Sequence, residues 1–155
     1  MDLAILAALQ ADGRLAVVEL AKRVNLSATP CTLRMRRLEQ DGLIRGYHAR
    51  LDCKKLGLAL LVFVQVKLKS TDEATLSAFN AAMKPVDQVL ECHLVGGGFD
   101  YLLKLRVKDM QEYREILGGL IGTLPMVENT HSHFVMEEVK EQFMLPLPKP
   151  APRRS

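Results

Sequence analysis

Arg34, Arg36 and Arg37 stand close together in the stretch ATPCTLRMRRLEQ, among Thr29, Thr32, Leu33 and Gln40. These side-chain types suit nucleic acid. A guanidinium forks onto guanine or a phosphate, an amide pairs with adenine, and a Thr methyl or Leu touches a thymine methyl. A second group lies downstream, where Gly96-Gly97-Gly98 is followed by Asp100. Successive glycines expose backbone N–H groups that can cradle an anion, and a carboxylate two residues on can accept from an ammonium. Together they suit a free amino acid, although a plain hairpin loop would use the same residues. His131 and His133 alternate onto one side of a strand and could share a metal. A surface or subunit-contact pair is the simpler account, and no metal site is assigned. Cys92 and His93 point to opposite sheet faces, and no Ser, Cys or His is arranged as a nucleophile with its base. No catalytic residue is assigned.

Charge divides the chain. The 155 residues carry a net charge of +3, with 48% hydrophobic and 25% charged side chains, an ordinary globular composition. Between Lys22 and Lys55 there are nine Lys/Arg against three acids, whereas from Leu58 to Ser155 there are eleven against twelve. A polyanionic partner is therefore expected for the first half alone. Cys31, Cys53 and Cys92 lack metal or redox spacing and read as small buried hydrophobes in a reducing compartment. No cationic-then-apolar leader follows Met1, and the run LGLALLVFVQV is about half the length that spans a bilayer. A cytoplasmic protein with no membrane partner is expected.

Residues 2–41 repeat at helical spacing. Leu3, Leu6 and Leu9 mark a first helix that stops at Asp12-Gly13, and Val17, Leu20, Ala21 and Val24 mark a second. Asn25-Leu26 makes a break, Ser27 caps a third helix, and Pro30 falls in its first turn, where a missing N–H costs nothing. This is the outline of a helix-turn-helix. LIRGYHARLD then alternates like a short strand or hairpin, a wing. On the third helix, Cys31, Met35 and Leu38 share one stripe, while Thr29, Leu33, Arg36 and Gln40 lie opposite, flanked by Thr32 and Arg37. Arg34 sits at the core edge, where it would either snorkel or pair with an acid such as Glu39 or Asp41. A solvated basic face is the bland alternative. The helix-turn-helix outline favours duplex DNA read by Ser27, Thr29, Thr32, Leu33, Arg36, Arg37 and Gln40. Lys22, Arg23, Arg45 and Arg50 would hold phosphates.

After residue 57 the period becomes two. Leu58, Leu60, Val62, Val64, Val66 and Leu68 form one strand face; Ser70 and Glu73 read as a capping box opening a helix with Leu76, Phe79 and Met83 inward. VLECHLV and YLLKLRV are two more strands. Asp109 and Glu112 open a second helix with Met110, Tyr113, Leu117 and Leu120 that runs to Gly122, and a last strand covers 127–139. The expected fold is α+β: a winged helix-turn-helix domain over 1–50, a hinge over 51–57, a ferredoxin-like βαββαβ sandwich over 58–145, and a Pro-rich, disordered tail over 146–155. The second face of the first strand carries Ala59, Leu61 and Phe63, and two helices cover only one side of four strands. A homodimer through that second face is expected.

The stretch from DLAILAALQADG through RLEQDGLIRGYHARLD resembles the helix-turn-helix of the Lrp/AsnC ("feast/famine") transcription regulators, and LLVFVQV, VLECHLVGGGFDYLLKLRV and HFVMEEVK resemble their ligand-sensing domain. The likeness covers residues 2–145 and is strongest to the leucine-responsive branch. It implies a transcriptional regulator of amino-acid metabolism whose assembly or DNA affinity responds to an amino acid. It implies no cofactor, and dimers that assemble further, to octamers. It makes Gly96, Gly97, Gly98 and Asp100 the effector site, with Thr130 and Ser132 beside them. Ala16 and Gly96 stand where the family commonly has Ser or Thr, and Thr32-Leu33 is a changed pair on the DNA face. Two other classes compete. An architectural nucleoid-type protein would wrap DNA without an obligatory effector, and tetrapyrrole-processing decarboxylases share the two-domain architecture. The expectation is a regulator and not an enzyme.

Overall fold

A computed structural model describes residues 2–148; what was expected of 149–155 and of Met1 lies outside them. The chain forms two compact units, one of residues 2–50 with 140–148, the other of residues 51–139.

The first unit holds α1 (Asp2–Ala11), α2 (Val17–Arg23) and α3 (Ala28–Gln40). Its core is Ile5, Leu9, Leu20, Ala21, Val24, Cys31 and Leu38, with Leu6, Met35 and Ile44 packed against it. The stripe of α1 is thus Ile5–Leu9, at spacing four, and Leu3 is only half-buried. Asn25 makes the turn between α2 and α3 at φ 55°, a left-handed conformation that Asn tolerates, and Leu26 N–H closes it onto Ala21 O at 2.9 Å. Gly42 at φ 70° ends α3, and Ile44 N–H reaches back to Leu38 O at 3.0 Å. The expected wing pairing is absent. Residues 45–52 have no strand ladder, and Gly46 among them sits at φ 149°, a conformation that favours glycine.

Residues 140–145, expected in the sandwich domain, and 146–148, expected in the tail, belong to the first unit. The Gln10 amide donates to Leu145 O at 3.0 Å and accepts from Leu145 N–H at 2.8 Å. Arg50 pairs with Glu141 at 3.1 Å and lies over the Phe143 ring.

The second unit is β1 (Leu60–Leu68), α4 (Glu73–Met83), β2 (Val89–Leu94), β3 (Tyr101–Val107), α5 (Met110–Gly119) and β4 (Val127–Phe134). The antiparallel sheet has the order β2-β3-β1-β4, the βαββαβ sandwich. Val62, Val64, Val66 and Leu68 of β1 and Tyr101, Leu103, Leu105 and Val107 of β3 face Phe79 and Met83 of α4 and Tyr113 of α5, all buried. Alternation and register put Leu61, Phe63, Gln65, Lys67, Leu102, Lys104, Arg106, Asn129, His131 and His133 on the other face.

Several boundaries move. Leu58 lies outside the strand, and β4 ends at Phe134, where its pairing with β1 runs out at Val62. Asp72 caps α4, accepting from Thr75 N–H at 2.8 Å, while Ser70 donates to the Asp72 carboxylate. That carboxylate, held by three donors, has its pKa lowered to about 2. Asp109 caps α5 as expected, but Glu112 accepts from Lys108 N–H, and Met110 is exposed. α5 stops at Gly119, before a 3-10 turn over Ile121–Thr123. Of the cysteines only Cys31 is buried; Cys53 is half-buried and Cys92, on β2, is exposed.

Candidate functional site

α3 keeps Cys31 and Leu38 in the core and leaves Thr29, Leu33, Arg36, Arg37 and Gln40 exposed. The amphipathic wheel dictates this: positions four and three apart go in, and the others face out. Arg36 has no hydrogen-bond or ion-pair partner among the described residues, so its whole donor fork is available. Arg37 lies 3.4 Å from Asp41, an exposed pair at the limit of a hydrogen bond. Arg34 pairs with Asp2 at 2.9 Å, not with Glu39 or Asp41; the first residue of α1 lies alongside α3, and Glu39 is taken by the Tyr47 hydroxyl. Burial and that acceptor raise the pKa of Tyr47.

Ser27 is the N-cap residue of α3, yet its hydroxyl makes no cap bond and stays free. Thr32 turns its hydroxyl back to Ala28 O at 2.9 Å, leaving its methyl as the outward group. Lys22 pairs with Glu19 at 2.8 Å, and that hydrogen bond holds the Glu19 carboxyl below its usual range. Arg23 and Arg45 are exposed, with no ion-pair partner among the described residues. The structure therefore gathers one exposed surface from Ser27, Thr29, Leu33, Arg36 and Gln40.

The second group lies where β2 turns into β3. Gly96, Gly97 and Gly98 are exposed, and Gly97 has φ 148°, a conformation that β-carbon-bearing residues rarely adopt. Asp100, expected to offer an open acceptor to an ammonium, is only 8% exposed. Its Oδ2 accepts from Leu68 N–H at 2.8 Å and its Oδ1 from Lys67 Nζ at 3.2 Å. Its own N–H donates to Val66 O at 3.0 Å. Asp100 therefore ties the glycine loop to β1. Thr130 pairs with Val66, one row from Asp100, and Ser132 with Val64; both point to the helix-covered face. Ser132 shares a hydrogen bond with the Tyr113 hydroxyl.

Beside this loop, on the other face, is a recess of about 420 Å³ lined by Gln65, Lys67, Gly98, Glu128, Asn129 and His131, with Phe99 at one wall. Of these residues the sequence points only to Gly98 as an effector ligand, and the spacing of His131 suggests a metal or a subunit contact instead. Alternation places Gln65 and Lys67 opposite Val64 and Val66. The strand pairing that brings Asn129 and His131 beside them is a tertiary fact. Among the described residues no group of three His, Cys, Asp or Glu side chains is placed to hold a metal ion. No described helix is long and apolar enough to cross a membrane.

A helix-turn-helix whose third helix turns arginine and amide groups outward, followed by a separate βαββαβ unit with a glycine loop, defines a class: DNA-binding transcription regulators with an attached ligand-binding domain. The chain matches the winged helix-turn-helix DNA-binding family over residues 1–45 and the Lrp/AsnC ligand binding domain over residues 61–145. It belongs to the Lrp/AsnC family of transcription regulators. It is 49% identical over 140 residues to the proline dehydrogenase transcriptional activator of Rhizobium radiobacter, covering 90% of each chain. It is 50% identical over 141 residues to the leucine-responsive regulatory protein of Salmonella typhimurium, covering 91% of this chain and 86% of that one. A transcriptional regulator of Neisseria meningitidis, crystallised with L-Met, superposes with TM-score 0.89 at 34% identity, covering 94% of each.

Proposed function

We propose that this protein regulates transcription of amino-acid metabolism genes by docking α3 in the major groove of a specific operator, and that a small amino acid sets its affinity or assembly. The carrying observation is Arg36: an exposed, unpartnered guanidinium on the face of α3 opposite Cys31 and Leu38, between Leu33 and Gln40. Arg36 and Gln40 read base edges, Leu33 and the Thr32 methyl contact thymine, and Ser27, Thr29, Arg37, Lys22, Arg23 and Arg45 take backbone and phosphate contacts. The names of the relatives and the L-Met complex of the Neisseria regulator support an amino-acid effector, which we assign to the loop of Gly96, Gly97, Gly98 and Asp100; Thr130 and Ser132, on the helix-covered face of β4, stand apart from it.

Two copies pair through the sheet face opposite the helices, where Phe63 and Leu102 are half-buried among charged side chains and Leu61 is already buried, and dimers assemble further, to an octamer. An effector bound near such contacts shifts the balance between assemblies, and the spacing of the two α3 helices on DNA shifts with it. Selection of bound duplexes from a random pool, followed by affinity measured against salt, tests the reading. Enrichment of a two-fold symmetric site is the expected result. A folded protein that ignores duplex DNA in dilute buffer would overturn it.

A further inference from the structure

Residues 140–148 return to the helix-turn-helix unit, and the residues joined to them carry Lys149, Arg153 and Arg154 with no acid. Those three cations equal the net charge of residues 2–50, where eight Lys/Arg face five acids. Residues 51–139 have the opposite sign, nine Lys/Arg against twelve acids. The return therefore starts a cationic segment from the cationic unit. It is held there at two points: Glu141 pairs with Arg50 at 3.1 Å, and the Leu145 backbone is clamped by Gln10. The second point lies toward the end of α3. Gln10 stands in the last turn of α1, and Tyr47 packs beside Gly13, just beyond that turn. The Tyr47 hydroxyl donates to Glu39 at 3.1 Å, next to Gln40 on the outward face. Ten residues from 146 to 155 span at most about 33–36 Å, close to one turn of a duplex. Prolines at 146, 148, 150 and 152 supply no N–H, so this stretch is a poor strand for another copy's sheet edge.

We propose that Lys149, Arg153 and Arg154 are a second DNA contact, a cationic arm that takes backbone phosphates beside the bases read by α3. This rests on the docking of α3 proposed above and adds to it. Three cations without an acid select phosphates, and such contacts carry no base preference. The Gln10 clamp makes the arm's contact an intramolecular event once α3 is seated, so it adds affinity through local concentration. Its prolines lower the conformational entropy lost on binding.

Fluorescence anisotropy of the full chain on the selected operator and on an unrelated duplex, over a salt series, tests the arm. Lys149→Ala, Arg153→Ala and Arg154→Ala together lower the slope of log affinity against log salt by roughly 2–3 for each arm engaged. They weaken both duplexes by the same factor, roughly tenfold or more, with unfolding temperature unchanged. Lys149→Arg with Arg153→Lys and Arg154→Lys keeps the slope. An unchanged slope in the alanine variant overturns the arm and leaves the docking of α3 standing. So does an equal loss in the charge-conserving variant, or a loss that sedimentation traces to a smaller assembly, because phosphate contacts need only the charge. Duplex affinity of the unaltered chain that ignores salt overturns the docking of α3 as well.

Discussion

The side-chain amide of Gln10 satisfies both backbone groups of Leu145, donating to its carbonyl at 3.0 Å and accepting from its N–H at 2.8 Å. One residue of α1 thereby holds a segment 135 positions away, where spacing alone shows nothing. Gln10→Ala removes both bonds at a cost of about 1 kcal/mol. The Leu145 amide then exchanges its hydrogen about fivefold faster, with the amides of α2 unchanged. Equal exchange in both proteins would show that the clamp does not form in solution.

Arg36 and Arg34 are two residues apart and differ in occupation. Arg36→Ala weakens binding to the selected operator by about 1–3 kcal/mol and relaxes sequence preference at one position, with no change in unfolding temperature. Arg34→Ala loses the exposed pair with Asp2, worth less than about 1 kcal/mol, and leaves base preference intact. Fluorescence anisotropy on operator and single-base variants separates the two. Reversed effects would mean that another face of α3 meets the duplex.

Arg106 and Glu138 meet through two parallel bonds of 3.0 and 2.8 Å, with the guanidinium side chain only 5% exposed. The Arg106 hydrogen bonds hold the Glu138 carboxyl below the usual range of a glutamate. A depressed folded pKa means that the pair's stabilisation is complete above the unfolded value and fades as pH falls through the folded one. Glu138→Gln therefore costs about 2 kcal/mol at neutral pH. Denaturant melts of both proteins at stepped pH should converge below the ordinary carboxylate range. A gap that stays constant into acid would assign the stabilisation to something other than ionisation.

Asp100→Ala leaves the Leu68 N–H, on a residue 2% exposed, without its acceptor. The cost is about 1–3 kcal/mol. Because Asp100 ties the glycine loop to β1, any amino-acid response falls with it while operator affinity without effector persists. Asp100→Asn keeps an acceptor for Leu68 N–H and separates the two consequences. Thermal melts with and without amino acid report both. An unaltered response in Asp100→Ala would remove Asp100 from the site's machinery.

The order of elements is legible in the residues because each is amphipathic at its own period. Cys31 and Leu38 at helical spacing, and Val62, Val64 and Val66 at spacing two, identify helix and strand from local chemistry alone. The outward face of α3 follows from the same wheel, so the exposure of Arg36 is set by its spacing from Cys31 and Leu38. Boundaries are less legible. Ser70 and Asp72 are both good caps, and only the direction in which the chain leaves β1 makes Asp72 the one that accepts from Thr75 N–H. β4 ends at Phe134 opposite Val62, although β1 continues to Leu60 along β3, and no local pattern in the residues after Phe134 marks that end.

What the sequence by itself determined, then, is everything that depends on neighbours within a few residues: the helices, the alternating strands, the glycine loop and the cationic first half. Tertiary structure alone decided the pairings. It gave Arg34 to Asp2, turned Asp100 inward to Leu68 and Lys67, returned Leu145 to Gln10, and set Glu128 opposite Lys67 across a bulge. Each joins residues far apart in the chain. The partner of a charge or an amide is the group that packing brings within about 3 Å, and periodicity carries no information about that distance.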